Sequence, residues 1–182
     1  LPCELHDEAS IAALLRGATA AGPLHMVLVA SGLLHAGAAL QPEKSWRALD
    51  ANALAQAFAV NTIGPALIAK HALGALARDG KSVYAALSAR VGSIEDNRLG
   101  GWHAYRASKA ALNMLIRTFS IELRQRNPHA LCVGLHPGTV DTALSKPFQA
   151  GVDPSKLFSP TQSAEALLGV LDRLTTADTG RL

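Results

Sequence analysis

Tyr105 and Lys109, in the stretch YRASKAALNML at residues 105–115, stand four positions apart in a segment with no helix breaker. Side chains at that spacing share one face of a helix, so a phenol and an ammonium can reach the same small volume. A tyrosine at its ordinary pKa of about 10 is a poor acid or base near neutrality, but a nearby cation favours the phenolate and lowers that value. Such a pair can donate a proton to a carbonyl oxygen during reduction, or accept one from an alcohol during oxidation. Two tyrosines and six lysines placed at random give one Tyr-x-x-x-Lys roughly 7% of the time. The spacing alone is therefore weak, and its companions must carry weight.

Three companions occur. Ser88 closes an apolar run in KSVYAALS and Ser93 follows in the loop toward Tyr105. A hydroxyl there can hydrogen-bond a substrate oxygen, although a serine at a strand end is more often a turn residue. Asn61 is polar within the otherwise apolar AVNTIGP, where an asparagine ordinarily satisfies backbone groups opened by a kink. HPGTVDT, residues 136–142, carries a Pro137-Gly138 turn that exposes backbone groups and hydroxyls.

The elements that must position these residues alternate. A helix over 7–21 has acidic residues in its first turn and Gly22-Pro23 as its stop. LHMVLVASG suits a short buried strand running into a turn of small residues. Residues 45–76 show helical periodicity, with Gly64-Pro65 as the expected joint. A second strand is expected over 81–88, a third helix over 105–126, a third strand over 129–136 and a last helix over 161–174. Strands separated by crossover helices predict a single α/β domain over 1–182, with a parallel sheet covered by helices on both faces. Ligands of such sheets bind beyond the carboxyl ends of the strands, which is where all three companions fall.

In this order the motifs resemble the classical short-chain dehydrogenase/reductase family, and the 92–114 stretch is similar to its branch of C-factor-like and sniffer-like carbonyl reductases. YRASK resembles the family's Tyr-x-x-x-Lys, VNTIG its asparagine-bearing helix, LVASGLL its Asn-Asn-Ala-Gly turn, ALSARVG its serine strand and HPGTVDT its Pro-Gly turn. The resemblance implies a Rossmann-like doubly wound sheet and a cofactor, NADP or NAD, with NADP slightly favoured. It implies Tyr105 as general acid/base and Lys109 as the group that lowers the Tyr105 pKa and binds the nicotinamide ribose. Asn61 would hold a relay water and Ser88 (alternatively Ser93) would complete the catalytic set. Ala30, Ser31, Gly32, Pro137, Gly138, Val140 and Thr142 would line the cofactor, with Glu4 and Leu5 near the adenine.

Three departures accompany the likeness. The family's opening strand, glycine-rich turn and helix have no counterpart in this sequence, so such a segment before Leu1, and a closing strand after Leu182, are expected to be missing from it. Without a neighbour on its open side, HMVLVA would be left as an apolar edge. Ser88-Ala89 stands where the family often has two serines, and Ala30-Ser31 where it has Asn-Ala; small residues still admit a ligand to the backbone.

The remaining sequence narrows the partners. A formal charge of +3 from 17 basic and 14 acidic residues, with RQRN at 124–127 the one dense basic cluster, does not favour nucleic acid. No apolar run reaches the length of a membrane span. Cys3 and Cys132 fit neither a disulfide framework nor a metal site, which predicts a reduced, cytoplasmic setting. The expected substrate is a small carbonyl or alcohol, roofed by residues 143–160, whose Pro and Gly suit either a lid or a plain surface loop. The apolar girth of the Tyr105 helix, together with the resemblance, predicts a homodimer or homotetramer. The alternative is a family member that binds nucleotide without turnover, as a sensor or scaffold. A serine hydrolase ranks last, since no Gly-x-Ser-x-Gly elbow is present.

Overall fold

The computed structural model describes residues 2–182. Its helices begin where side chains can cap them. Asp7 accepts the Ala9 N–H at the start of α1 (Glu8–Thr19), and Asp50 accepts the Ala53 N–H at the start of α2 (Ala51–Phe58). Strand β1 (Met26–Val29) lies between them. Beyond α2 the chain continues through a π-helical turn (Ala59–Ile63) into α3 (Gly64–Ala72), then β2 (Ser82–Leu87), the 24-residue α4 (His103–Arg126) and β3 (Ala130–Leu135). Two short strands, β4 (Thr139–Val140) and β5 (Leu157–Phe158), pair with each other before α5 (Pro160–Arg173). Helix α5 opens on a capping box in which Ser159 and Gln162 bond each other's backbone.

The main sheet is parallel in the order β1-β2-β3, with Val27 opposite Tyr84 and Tyr84 opposite Cys132. Alternation along the strands divides the core. Val29, Tyr84, Ala86 and Cys132 face α1, α3 and α4 through Ile11, Leu15, Ile68, Leu112 and Ile116. Val83, Ala85, Leu131 and Val133 face the other way, onto Leu167 and Leu171 of α5. Strands buried on both faces read as continuous apolar runs, and this places helices on both sides of the sheet as expected. On the outer edge of β3, Gly180 N–H donates to the Cys132 carbonyl, and Gly134 N–H to the Arg181 carbonyl. Residues 180–181 thus bond the outer edge of β3. At the opposite edge, Met26 and Leu28 of β1 are 46% and 39% exposed.

The joint expected at Gly64-Pro65 is a widened turn one step earlier. Pro65 has no N–H, so it cannot continue the α-helical ladder. Gly64 N–H instead donates to the Ala59 carbonyl, five residues back. Extra-residue turns of this kind often mark functional sites, and this one carries Asn61, which is fully buried. Just past it, the Pro65 carbonyl accepts the hydroxyl of Tyr84 at 2.6 Å. Tyr84 is 1% exposed, and burial pushes its phenol well above the ordinary value. Of the two tyrosines this one is structural. Tyr84→Phe should lower the unfolding free energy by about 1–2 kcal/mol in urea titration, the cost of one buried hydrogen bond.

Candidate active site

Helix α4 packs along β3 and over the end of β2, and its most buried charged residue fixes its register. Lys109 is 2% exposed, and its Nζ donates to the Leu87 carbonyl at 2.8 Å, at the carboxyl end of β2. Removing an ammonium from water is costly, and burial holds this one at about 8, below its ordinary range. One turn earlier, Tyr105 is half-buried at the same end of the sheet, with its ring centroid 5.8 Å from Lys109 Nζ. The expected lowering of the phenol pKa is not present in this conformation. Burial raises it, and the hydrogen bond that the Lys109 ammonium makes is to the Leu87 carbonyl rather than to the phenol oxygen.

Asn61 joins three elements. Its Nδ2 donates to the Leu33 carbonyl at 2.8 Å and to Ser108 Oγ at 3.1 Å, while its Oδ1 accepts the Leu33 N–H at 2.8 Å. Ser108 Oγ donates in turn to the Tyr105 carbonyl, and Thr62 Oγ1 to the Ser108 carbonyl. The asparagine therefore clamps the turn after β1 to the helix that bears Tyr105 and Lys109. Its side chain serves the clamp, with both amide N–H groups and one lone pair of the amide oxygen engaged. Ala30, Ser31 and Gly32 form the clamped turn. Ser31 Oγ is buried and has no partner among the described residues, and Gly32 stands open to solvent.

Ser88 is 6% exposed, and its hydroxyl donates to Asn113 Oδ1, one turn beyond Lys109. Asn113 Nδ2 donates to the Gly92 carbonyl. A Cβ on Gly92 would lie 2.9 Å from the Lys109 backbone, so only glycine lets this loop seat against α4. Ser93 is a turn residue, accepting the Asp96 N–H. Beyond β3, the Pro137 carbonyl accepts the Ser163 hydroxyl, and Gly138 at φ 76° lies where a Cβ would strike the Phe158 ring. Val140 pairs with Phe158, and the Thr142 hydroxyl turns back to the Val140 carbonyl. Glu4 and Leu5 lie before α1, where Leu5 packs against Gly64 at the end of the π turn.

Several residues here carried no signal in the one-dimensional pattern. Asn113 reads as an ordinary polar helix position. Trp102, His35 and Phe148 form an edge-on aromatic chain, with Trp102 to Phe148 at 4.9 Å, Trp102 to Tyr105 at 6.3 Å and His35 to Phe148 at 5.6 Å. His35 Nε2 lies 3.1 Å from the Ala143 carbonyl, tying the turn after β1 to the 143–160 segment. The scarcity of aromatics, 4% of the chain, was the one available hint.

A family model described as short chain dehydrogenase matches residues 1–153. The chain belongs to the short-chain dehydrogenase family. Among its relatives, the C-signal of Myxococcus xanthus is 35% identical over 128 residues, covering 70% of this chain and 72% of that protein. The 1-hydroxy-2-glutathionyl-2-methyl-3-butene dehydrogenase of Rhodococcus sp. (strain AD45) is 36% identical over 133 residues, covering 73% of this chain and 56% of that one. The chain thus aligns with little more than half of the Rhodococcus enzyme. Among solved structures, the NADPH-bound carbonyl reductase from chicken fatty liver superposes with a TM-score of 0.83 at 28% identity, over all of this chain and 72% of the other. Its agreement with the doubly wound architecture establishes the Rossmann-like fold. Among the described residues, no helix is long and apolar enough to cross a membrane.

Membership of this family makes the state of Lys109 worth measuring. Below about pH 8 its ammonium is charged in folded and unfolded chains alike, and the burial penalty is fully felt. Above that pH the folded chain sheds the proton while the unfolded chain keeps it until its ordinary value, so stability from this group rises with pH. The stability difference between wild type and Lys109→Met should therefore shift in favour of wild type between about pH 7 and about pH 9.5 in urea unfolding. A constant difference would contradict a depressed lysine.

Proposed function

We propose that the protein is an NAD(P)-dependent oxidoreductase that moves a hydride between nicotinamide and a carbonyl or alcohol carbon, with Tyr105 handling the proton. The observation that carries this reading is the placement of Tyr105 and Lys109 on one face of α4, anchored by Leu87 at the carboxyl end of a parallel strand. Turns from the ends of β1 and β3 converge on the same end of the sheet. The small residues 30–32 and the unpartnered, buried Ser31 hydroxyl suit a polar ligand laid across them. These features fit the nicotinamide half of the cofactor. Among the described residues, no glycine-rich strand-to-helix turn offers a pyrophosphate site.

When bound, the cofactor supplies or accepts the hydride. The chain's own residues would do the rest. Tyr105 Oη gives its proton to the substrate oxygen in reduction and takes it back in oxidation. Lys109, four residues along and held by Leu87, provides the positive charge that favours the phenolate as the site fills, and it lies on the same face to meet the ribose. Ser88 stands beside that anchor, and Val140 and Thr142 would close on the carboxamide. NADP is favoured over NAD because the 28% identical chicken reductase is NADPH-bound. Residues 143–160, braced by His35, would roof the substrate.

Tyr105→Phe is the test. It removes one oxygen from a half-buried ring that donates no hydrogen bond within the described residues, so folding and cofactor affinity should be little changed. NADPH oxidation with aldehydes and ketones should fall by more than about a hundredfold, the usual worth of a positioned general acid. Retained turnover would refute the assigned role, and a wild-type protein that binds NADPH but turns over no carbonyl would favour the sensor reading.

A further inference from the structure

Helix α4 carries the reacting pair yet has no cap of its own. Its N-cap position is Trp102, whose side chain makes no capping bond. The cap comes from a distant loop. Glu43, 6% exposed, accepts the Ala104 N–H with its carboxylate Oε2 at 3.2 Å, and its backbone carbonyl accepts the Trp102 N–H at 2.5 Å. A carboxylate at a helix N-terminus is favoured by the helix dipole, which helps to offset its removal from water.

The backbone at this junction is unusual. Trp102, at φ 52° and ψ 42°, is the one non-glycine residue with positive φ among the described residues. It follows Gly100 and Gly101, which are also left-handed, and a Cβ on Gly101 would lie 3.3 Å from the Glu43 carbonyl. A bulky residue in that region is strained and persists only where its surroundings over-determine it. Here the surroundings are Glu43. The consequence of the left-handed turn is the position of the indole, edge-on to both Tyr105 and Phe148.

We propose that Glu43 is a positioning residue that holds Trp102 in its left-handed conformation, so that the indole forms a wall of the pocket beside Tyr105 and selects carbonyl substrates with a flat aromatic substituent. This rests on the oxidoreductase reading of Tyr105. Glu43 also lines a narrow cleft with Leu33, Leu34, Ala57, Ala104 and Tyr105, which places the capping loop beside the first turn of α4, where Tyr105 lies. A flat ring is the shape that an indole and a phenyl group can both contact, edge to face, without reorganising.

The experiment uses the Trp46→Phe background, in which Trp102 is the only indole, since the chain has two tryptophans and Trp46 is exposed. Glu43→Ala should shift Trp102 emission to the red and increase its quenching by acrylamide. The same variant should raise KM for benzaldehyde about fivefold, the worth of one aromatic edge-to-face contact, while kcat and the KM for propanal change little. Glu43→Gln, which keeps an oxygen acceptor for Ala104, should restore most of both signals. Unchanged Trp102 emission in folded Glu43→Ala, or an equal KM rise for both aldehydes, would overturn the proposal. Should Glu43→Ala fail to fold, Glu43→Asp, too short to reach Ala104, should show the red shift that Glu43→Gln does not; equal behaviour of those two variants would overturn it as well. If the parent oxidises NADPH with neither aldehyde, the oxidoreductase reading fails, while the emission still reports whether Glu43 sets Trp102.

Discussion

The arrangement depends on one buried charge. Lys109 reaches the carboxyl end of β2 with its ammonium and finds there a single carbonyl, that of Leu87. Because an ammonium without a partner in this position would be prohibitive, the bond fixes both the rotation and the axial register of α4 on the sheet. Tyr105 then follows from helix geometry, since a residue one turn earlier on the same face must lie at the mouth of the sheet. The same burial that fixes the lysine sets its proton affinity, at about 8, and leaves it near the edge of its charged range.

Around this anchor the polar groups form a connected set rather than a collection. Asn61, freed from the helical ladder by the π turn that Pro65 imposes, grips Leu33 on both its N–H and carbonyl and passes to Ser108 and so to the backbone of Tyr105. On the other side of α4, Asn113 holds Ser88 and Gly92. The turn after β1, the end of β2 and the start of α4 are thereby tied by side-chain amides whose hydrogen-bonding capacity is largely spent. Such networks resist partial disruption, because each broken bond strands a buried polar partner.

Much of this was legible in the sequence. The strand and helix order follows from apolar runs and their stops, and the spacing of Tyr105 and Lys109 on an unbroken helix fixes their common face before any coordinates exist. The likeness to the short-chain dehydrogenases drew the remaining motifs to one end of the sheet. What the sequence could not express was direction. Asn61 reads as a kink residue or a water ligand, and only the fold shows its amide turned to Leu33. Gly64-Pro65 marks a break, but the missing proline donor widens the turn before it instead of bending the chain at that point. Glu43, in a loop sixty residues from the helix it caps, has no local pattern to identify it, and the influence of Lys109 on Tyr105 depends on which acceptors the ammonium meets and how deeply the phenol is buried, which spacing does not specify.

The central claim is that the Tyr105 phenol is the proton-transfer group, held high by burial in the free protein and brought down as the cofactor fills the site. Two tyrosines in the chain make this directly measurable by NMR titration of the protein labelled at the tyrosine Cζ carbon. The Tyr105 resonance, identified by its loss in Tyr105→Phe, should titrate above about 10 in the free protein and move to markedly lower pH when NADP+ is added, while Tyr84 stays unionised throughout. A Tyr105 titration that NADP+ leaves unchanged, in protein that binds it, would contradict the account.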